Sequence, residues 1–95
     1  MAAYIVFTRE RTRDQKALDT YSAGAGGTLA GHTVKALSVY GRHETLEGAP
    51  IEGSVIVEFP SIEAAKAWYN GPAYSEVRKH RFQGADYRVF ITEGL

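Results

Sequence analysis

The sequence predicts an α+β fold in the order β-α-β-β-α-β: four antiparallel strands in one sheet, with the helices on one face. Two observations carry that prediction. Four short runs are rich in β-branched and aromatic residues, and the stretches between them space their apolar residues as a helix does. Pro and Gly punctuate the changes from one pattern to the other. At 95 residues the chain is a single domain, 1–95, too short for two independent cores.

"AAYIVFT" (2–8) reads as the first strand. "RERTRD" breaks its pattern, and Asp14 suits an N-cap. Ala17, Leu18, Tyr21, Ala25, Thr28 and Leu29 then share one side of a helix from 15 to about 30. Gly24, Gly26 and Gly27 each cost a helix interior roughly 1 kcal/mol. They mark either a frayed end with a glycine C-cap or a helix thinned for close approach of a ligand or partner.

"VKALSVYG" (34–41) is the second strand, continuing irregularly to Gly48, and "APIEG" (49–53) turns into the third, "SVIVEF" (54–59). Pro60 ends it and Ser61 caps a helix in which Ile62, Ala65 and Tyr69 face inward, flanked by Trp68. "NGP" (70–72) interrupts, and Pro72 starts a helix running to about Gln83. "DYRVFITEG" (86–94) is the fourth strand. This order is the ferredoxin-like split unit. Its strands are apolar on both faces, Tyr4 and Val6 against Ile5 and Phe7, Val89 and Ile91 against Phe90. The face away from the helices therefore needs a cover, most simply a second copy, giving a two-fold dimer whose sheets close into an α/β barrel.

Composition excludes several functions. Lys+Arg and Asp+Glu balance at 11 each, which leaves no basic field for nucleic acid. No apolar run approaches the roughly 20 residues of a membrane span, and the N-terminus does not read as a signal peptide, so a cytoplasmic location is expected. There are no cysteines, and His32, His43 and His80 lie far apart, so neither a metal nor a bound cofactor is expected. "GAGGTLAG" (24–31) lacks the third glycine of a dinucleotide fingerprint, and no nucleophile elbow is present.

"AYSEVRKHRF" (73–82) carries the chemistry. Tyr74, Val77, Arg78, Arg81 and Phe82 share one stripe of the helix, so two arginines lie on the core side. Arg78, displaced toward the Phe82 edge, is expected to send its guanidinium to water. Arg81 lies between Val77 and Tyr74, and a guanidinium buried there needs Asp86, Glu58 or an anionic ligand. Tyr69 and Tyr74 bring hydroxyls to the same wall. The site expected is thus a cleft between helices and sheet, holding a small organic anion by Arg81, Tyr69 and Tyr74. An enzyme would also need a proton carrier, for which His32, Asp86 and Glu58 are the candidates.

"VEFPSIEAAKAWYNGPAYSEVRKHRFQGADYRVFITEG" (57–94) closely resembles the C-terminal half of the bacterial domain-of-unknown-function 1330 family. The shared pattern is a strand ending in EFPS, an EAA helix, WY, a turn with Pro72 shortly before Tyr74, a following Arg and a strand ending in EG. "AAYIV" (2–6), His32 and "LEG" (46–48) extend the match upstream. Gly71 departs from it, standing where serine is usual, and Thr33–Val34 replace a Gly-Gly pair. The resemblance implies the dimeric α/β-barrel superfamily, which includes cofactor-independent monooxygenases, haem-degrading enzymes and lactone isomerases. A cofactor-independent enzyme of monooxygenase or isomerase type is therefore the alternative to a binding protein.

Overall fold

The computed structural model describes residues 1–95. The elements are β1 (Ala3–Thr12), α1 (Gln15–Ala25), a 3₁₀ turn (Gly26–Leu29), β2 (Lys35–Val39), β3 (Gly53–Phe59), α2 (Ile62–Tyr69), α3 (Pro72–Gly84) and β4 (Ala85–Glu93). The strands form one sheet in the order β2-β3-β1-β4, every neighbouring pair antiparallel. This is the α+β, ferredoxin-like arrangement. No helix is long and apolar enough to cross a membrane.

Two strand limits differ from expectation. β1 runs on through the charged "RERT" to Thr12, with a bulge between Arg9 and Arg11. Neighbouring segments neutralise its charges: Arg9 meets Glu52 at 3.0 Å, Arg11 meets Asp86 at 3.4 Å, and Glu10 meets Arg88 at 3.6 Å. β2 stops at Val39, because Tyr40 takes a positive φ of 50° and leaves the strand path.

The helices start where the caps say. Asp14 accepts from the Ala17 amide at 3.3 Å, and Ser61 from the Ala64 amide at 3.1 Å. α3 starts with Pro72 behind Gly71, where a Cβ would sit 2.8 Å from the Ala67 carbonyl oxygen. α1 is shorter than the expected helix: it ends at Ala25, and the glycines tighten the chain into the 3₁₀ turn.

The core lies between helices and sheet. Ala3, Ile5 and Phe7 of β1 and Val57 and Phe59 of β3 meet Ala65, Trp68 and Tyr74 there. Within α2 the inward residues are Ala65 and Trp68; Ile62 and Tyr69 are only half-buried, a rotation from the expected face. On the opposite sheet face Val6 stands between Ile56 and Phe90 in register, and Phe90 is 52% exposed.

Candidate functional site

Trp68 is the anchor of the site. Its indole nitrogen donates to Thr28 Oγ1 at 3.1 Å, and its ring stacks on Tyr74 with centroids 4.1 Å apart. Tyr74 is thereby held fully buried beneath α1, where its hydroxyl lies 2.8 Å from that of Tyr21. A second hydroxyl pair crosses the sheet, Tyr40 to Tyr87 at 2.6 Å. Tyr40 reaches it by lying over Gly53, where a Cβ would come within 2.6 Å of the ring. Glycine is required there by that close approach.

Burial pushes the Tyr74 and Tyr21 phenols up from the ordinary value; the pairing with Tyr21 and the nearby Arg81 charge oppose the rise at Tyr74. Burial and the bond to Tyr87 push Tyr40 up as well. All three are neutral hydroxyls at pH 7.

Arg81 is 3% exposed and has no carboxylate partner. One terminal nitrogen donates to the Tyr69 hydroxyl at 3.3 Å, while Nε is buried without a partner. Its Cζ lies 5.0 Å from the ring centroids of both Phe82 and Tyr87, and 6.0 Å from Phe7. Aromatic faces therefore surround the cation.

Two cavities flank this aromatic group. One, about 360 Å³, lies between the end of α1 and the β2–β3 side of the sheet; Leu29, Val39, Val55, Val57, Phe7 and Tyr74 are among its walls. The other, about 430 Å³, is an open cleft of mixed polarity beside β4, bordered by Arg81, Arg13, Tyr69, Tyr87 and Asp86.

The expected site residues divide accordingly. Arg81, Tyr69 and Tyr74 come together, with Tyr69 and Tyr74 ring centroids 5.4 Å apart. Neither carboxylate expected for Arg81 reaches it. Asp86 is held by Arg13 at 2.9 Å and Arg11 at 3.4 Å. Glu58 alternates with the buried Val57 and Phe59, so it faces the other side of the sheet. His32 is exposed beyond the 3₁₀ turn, its amide bonded to the Leu29 carbonyl at 3.0 Å. Of the three proton-carrier candidates only Asp86 borders the Arg81 cleft, and it is paired with arginines there.

Arg78 also departs from expectation. Instead of reaching water, it lies 4.3 Å over the Tyr69 ring and donates to the Tyr69 carbonyl at 3.1 Å, closing the end of α2. Phe82, placed on the inward stripe, is 56% exposed. Sequence reasoning did not single out Tyr21, Tyr40 or Tyr87 as site residues. Tyr21 was within reach through its helical spacing from Leu18 and Tyr87 through its alternation with Val89. Tyr40 depends on a backbone turn that carries no local signal. No group of three or more His, Asp or Glu side chains is placed to hold a metal.

The family described as Domain of unknown function (DUF1330) matches residues 2–95. The chain belongs to this family. No curated protein matches it. Among solved structures it is similar to RPA0582, a protein of unknown function from Rhodopseudomonas palustris, with TM-score 0.71 and 23% identity over 99% of this chain and 82% of that one. It is also similar to a dimeric protein of unknown function with a ferredoxin-like fold from Bacteroides fragilis, with TM-score 0.66 and 10% identity over 98% and 96% of the two chains. A third similar structure is SnoaB, a cofactor-independent oxygenase from Streptomyces nogalater, with TM-score 0.62 and 9% identity over 99% and 93%. At these identities the likeness establishes the fold of this DUF1330 chain, and function rests on the site itself.

Proposed function

We propose that this DUF1330 chain is a cytoplasmic homodimer that binds a small organic anion at Arg81, with Tyr69 and Tyr74 beside it. The observation that carries this reading is the buried Arg81 guanidinium without a carboxylate, its Nε unpartnered. Removing a charge from water costs several kcal/mol, and one hydroxyl with aromatic faces offsets only part of that. An anion would complete the site, and the planar fork of arginine holds a carboxylate in a set orientation. Binding without turnover is favoured over the oxygenase-like alternative, because His32 and Glu58 lie away from Arg81, and Asp86, which borders the Arg81 cleft, is paired with Arg13 and Arg11. The phenols of the aromatic group are neutral donors rather than bases at pH 7.

Titration of the protein with benzoate, followed by calorimetry and amide chemical shifts, tests this. Arg81→Ala is expected to weaken binding by about 1.5–3 kcal/mol, the usual contribution of a charged hydrogen bond. Arg78→Ala is expected to lower stability more than affinity, since Arg78 serves the end of α2. Equal benzoate affinity in the wild type and Arg81→Ala would sink the proposal.

A further inference from the structure

The hydroxyls around Arg81 have an unmatched surplus of donors. Tyr21 and Tyr74 bond to each other, which uses one of their two protons. Tyr40 and Tyr87 bond to each other, which again uses one of two. Tyr69 accepts from Arg81 and keeps its own proton. None of these hydroxyls donates to a carbonyl or carboxylate, and Arg81 Nε donates to nothing. Hydroxyl hydrogens left unused beside a fixed positive charge fit a ligand group that only accepts. An ionised carboxylate is such a group.

The same hydroxyls end the apolar cavity. Tyr21, Tyr40, Tyr74 and Phe7 all belong to its wall. Arg81 does not line this cavity but stands behind its wall, with its Cζ 6.0 Å from the Phe7 ring and 5.0 Å from the ring of Tyr87, the partner of Tyr40, and it borders the cleft beside β4. The rest of the wall offers little that is polar, and its volume of about 360 Å³ exceeds the ~150 Å³ apolar cavity that takes up one benzene ring. The rim residues Ser22, Gly26, Ala36 and Val39 are exposed, so the space is not sealed.

We propose that the ligand is an amphipathic monocarboxylate, its apolar body in this cavity and its carboxylate at the Tyr21–Tyr74 hydroxyls, with the Arg81 charge behind them. The proposal rests on the anion-binding reading of Arg81 and adds the second half of the ligand. It assigns the open cleft beside β4 a lesser role, since that cleft is of mixed polarity and offers little apolar wall for the body of such a ligand. On binding, the carboxylate accepts a hydrogen bond from the hydroxyl whose hydrogen the Tyr21–Tyr74 bond leaves unused.

Three probes test it by calorimetry on the full chain: acetate, octanoate and 1-octanol. Octanoate is expected to bind at least tenfold more tightly than acetate, a modest return for its buried methylenes. Octanol is expected to bind at least tenfold more weakly than octanoate. Arg81→Gln is expected to remove the advantage of octanoate over octanol. Ala36→Phe fills the cavity from an exposed strand position and is expected to cost octanoate tenfold while leaving acetate unchanged. Acetate and octanoate binding alike in the wild type, both still lost in Arg81→Gln, would overturn the amphipathic ligand and leave the anion reading standing. Octanoate indifferent to Arg81→Gln would overturn both. The wild-type comparisons need no variant to fold.

Discussion

Arg81 sets a conflict between stability and binding that a single substitution can expose. Desolvation of a guanidinium costs several kcal/mol, and the Phe82 and Tyr87 faces at 5.0 Å, at about 2 kcal/mol each, offset part of it. Arg81→Met keeps the length of the side chain and removes the charge. The ligand-free variant is expected to unfold at a urea concentration equal to or higher than the wild type, while octanoate binding is lost. A clear loss of stability would mean that the guanidinium is a structural member after all. The tyrosines add a pH signature. An unfolded tyrosine titrates near 10, and in the folded chain burial holds the Tyr21 and Tyr74 protons above that value. Above pH 10 the unfolded state therefore binds fewer protons than the folded one, so stability is full below about pH 10 and falls as pH rises beyond it. The fall is about 1.4 kcal/mol per pH unit for each such tyrosine. Urea midpoints from pH 8 to 11 are expected to bend downward near 10, and Tyr21→Phe is expected to make that bend shallower. A midpoint that stays level to pH 11 would contradict the burial of these phenols. At this scale the sequence was legible for Arg81, because a helical wheel places one residue reliably between Val77 and Tyr74. It was not legible for Tyr40, whose position follows from its φ of 50° and the bare backbone of Gly53.

Between elements, the tightest fit joins α1 to the end of α3. A Cβ on Gly84 would meet Leu18 Cγ at 2.8 Å and the Leu18 backbone nitrogen at 2.9 Å. The side chain could rotate away, but the helix backbone cannot. Gly84→Ala is therefore expected to destabilise the fold by about 1–3 kcal/mol, the usual cost of overpacking. Gly27, in the 3₁₀ turn, has open space where a Cβ would go. Gly27→Ala is expected to be neutral or to stabilise by up to about 1 kcal/mol by restricting the unfolded chain. Thermal unfolding of the two variants side by side checks the contrast. The glycine-rich stretch ends the helix, the first of the two meanings weighed from sequence, and Gly26 lines the cavity. Helix starts were legible because Asp14, Ser61 and Pro72 are local chemical signals. The reach of β1 to Thr12 was not, because Glu52, Asp86 and Arg88, which neutralise its charges, lie far off in the chain.

For the molecule as a whole, the decisive feature is a sheet with helices on only one face and an apolar strip across the other. In β1 the buried Ala3, Ile5 and Phe7 face the helices, while Tyr4 and Val6 face away. Val6 is flanked in register by Ile56 and Phe90, which makes an apolar strip across three strands. Such a strip on a lone chain is a liability, and a two-fold copy would cover it with an identical strip. A dimer through this face leaves the Arg81 group untouched, because the whole sheet separates them. Two effects are therefore expected to be independent. Phe90→Arg, at a position 52% exposed in the single chain, is expected to convert the dimer to a folded monomer that still binds octanoate, with affinity within a factor of a few. Arg81→Ala is expected to do the reverse, losing the ligand and keeping the dimer. Light scattering at micromolar concentration, paired with the octanoate titration, reads both properties on each variant. If Phe90→Arg leaves the mass unchanged at that of a dimer, the copies meet elsewhere. If it abolishes binding while the fold persists, the site is completed across the interface, and the cleft is not the property of one subunit.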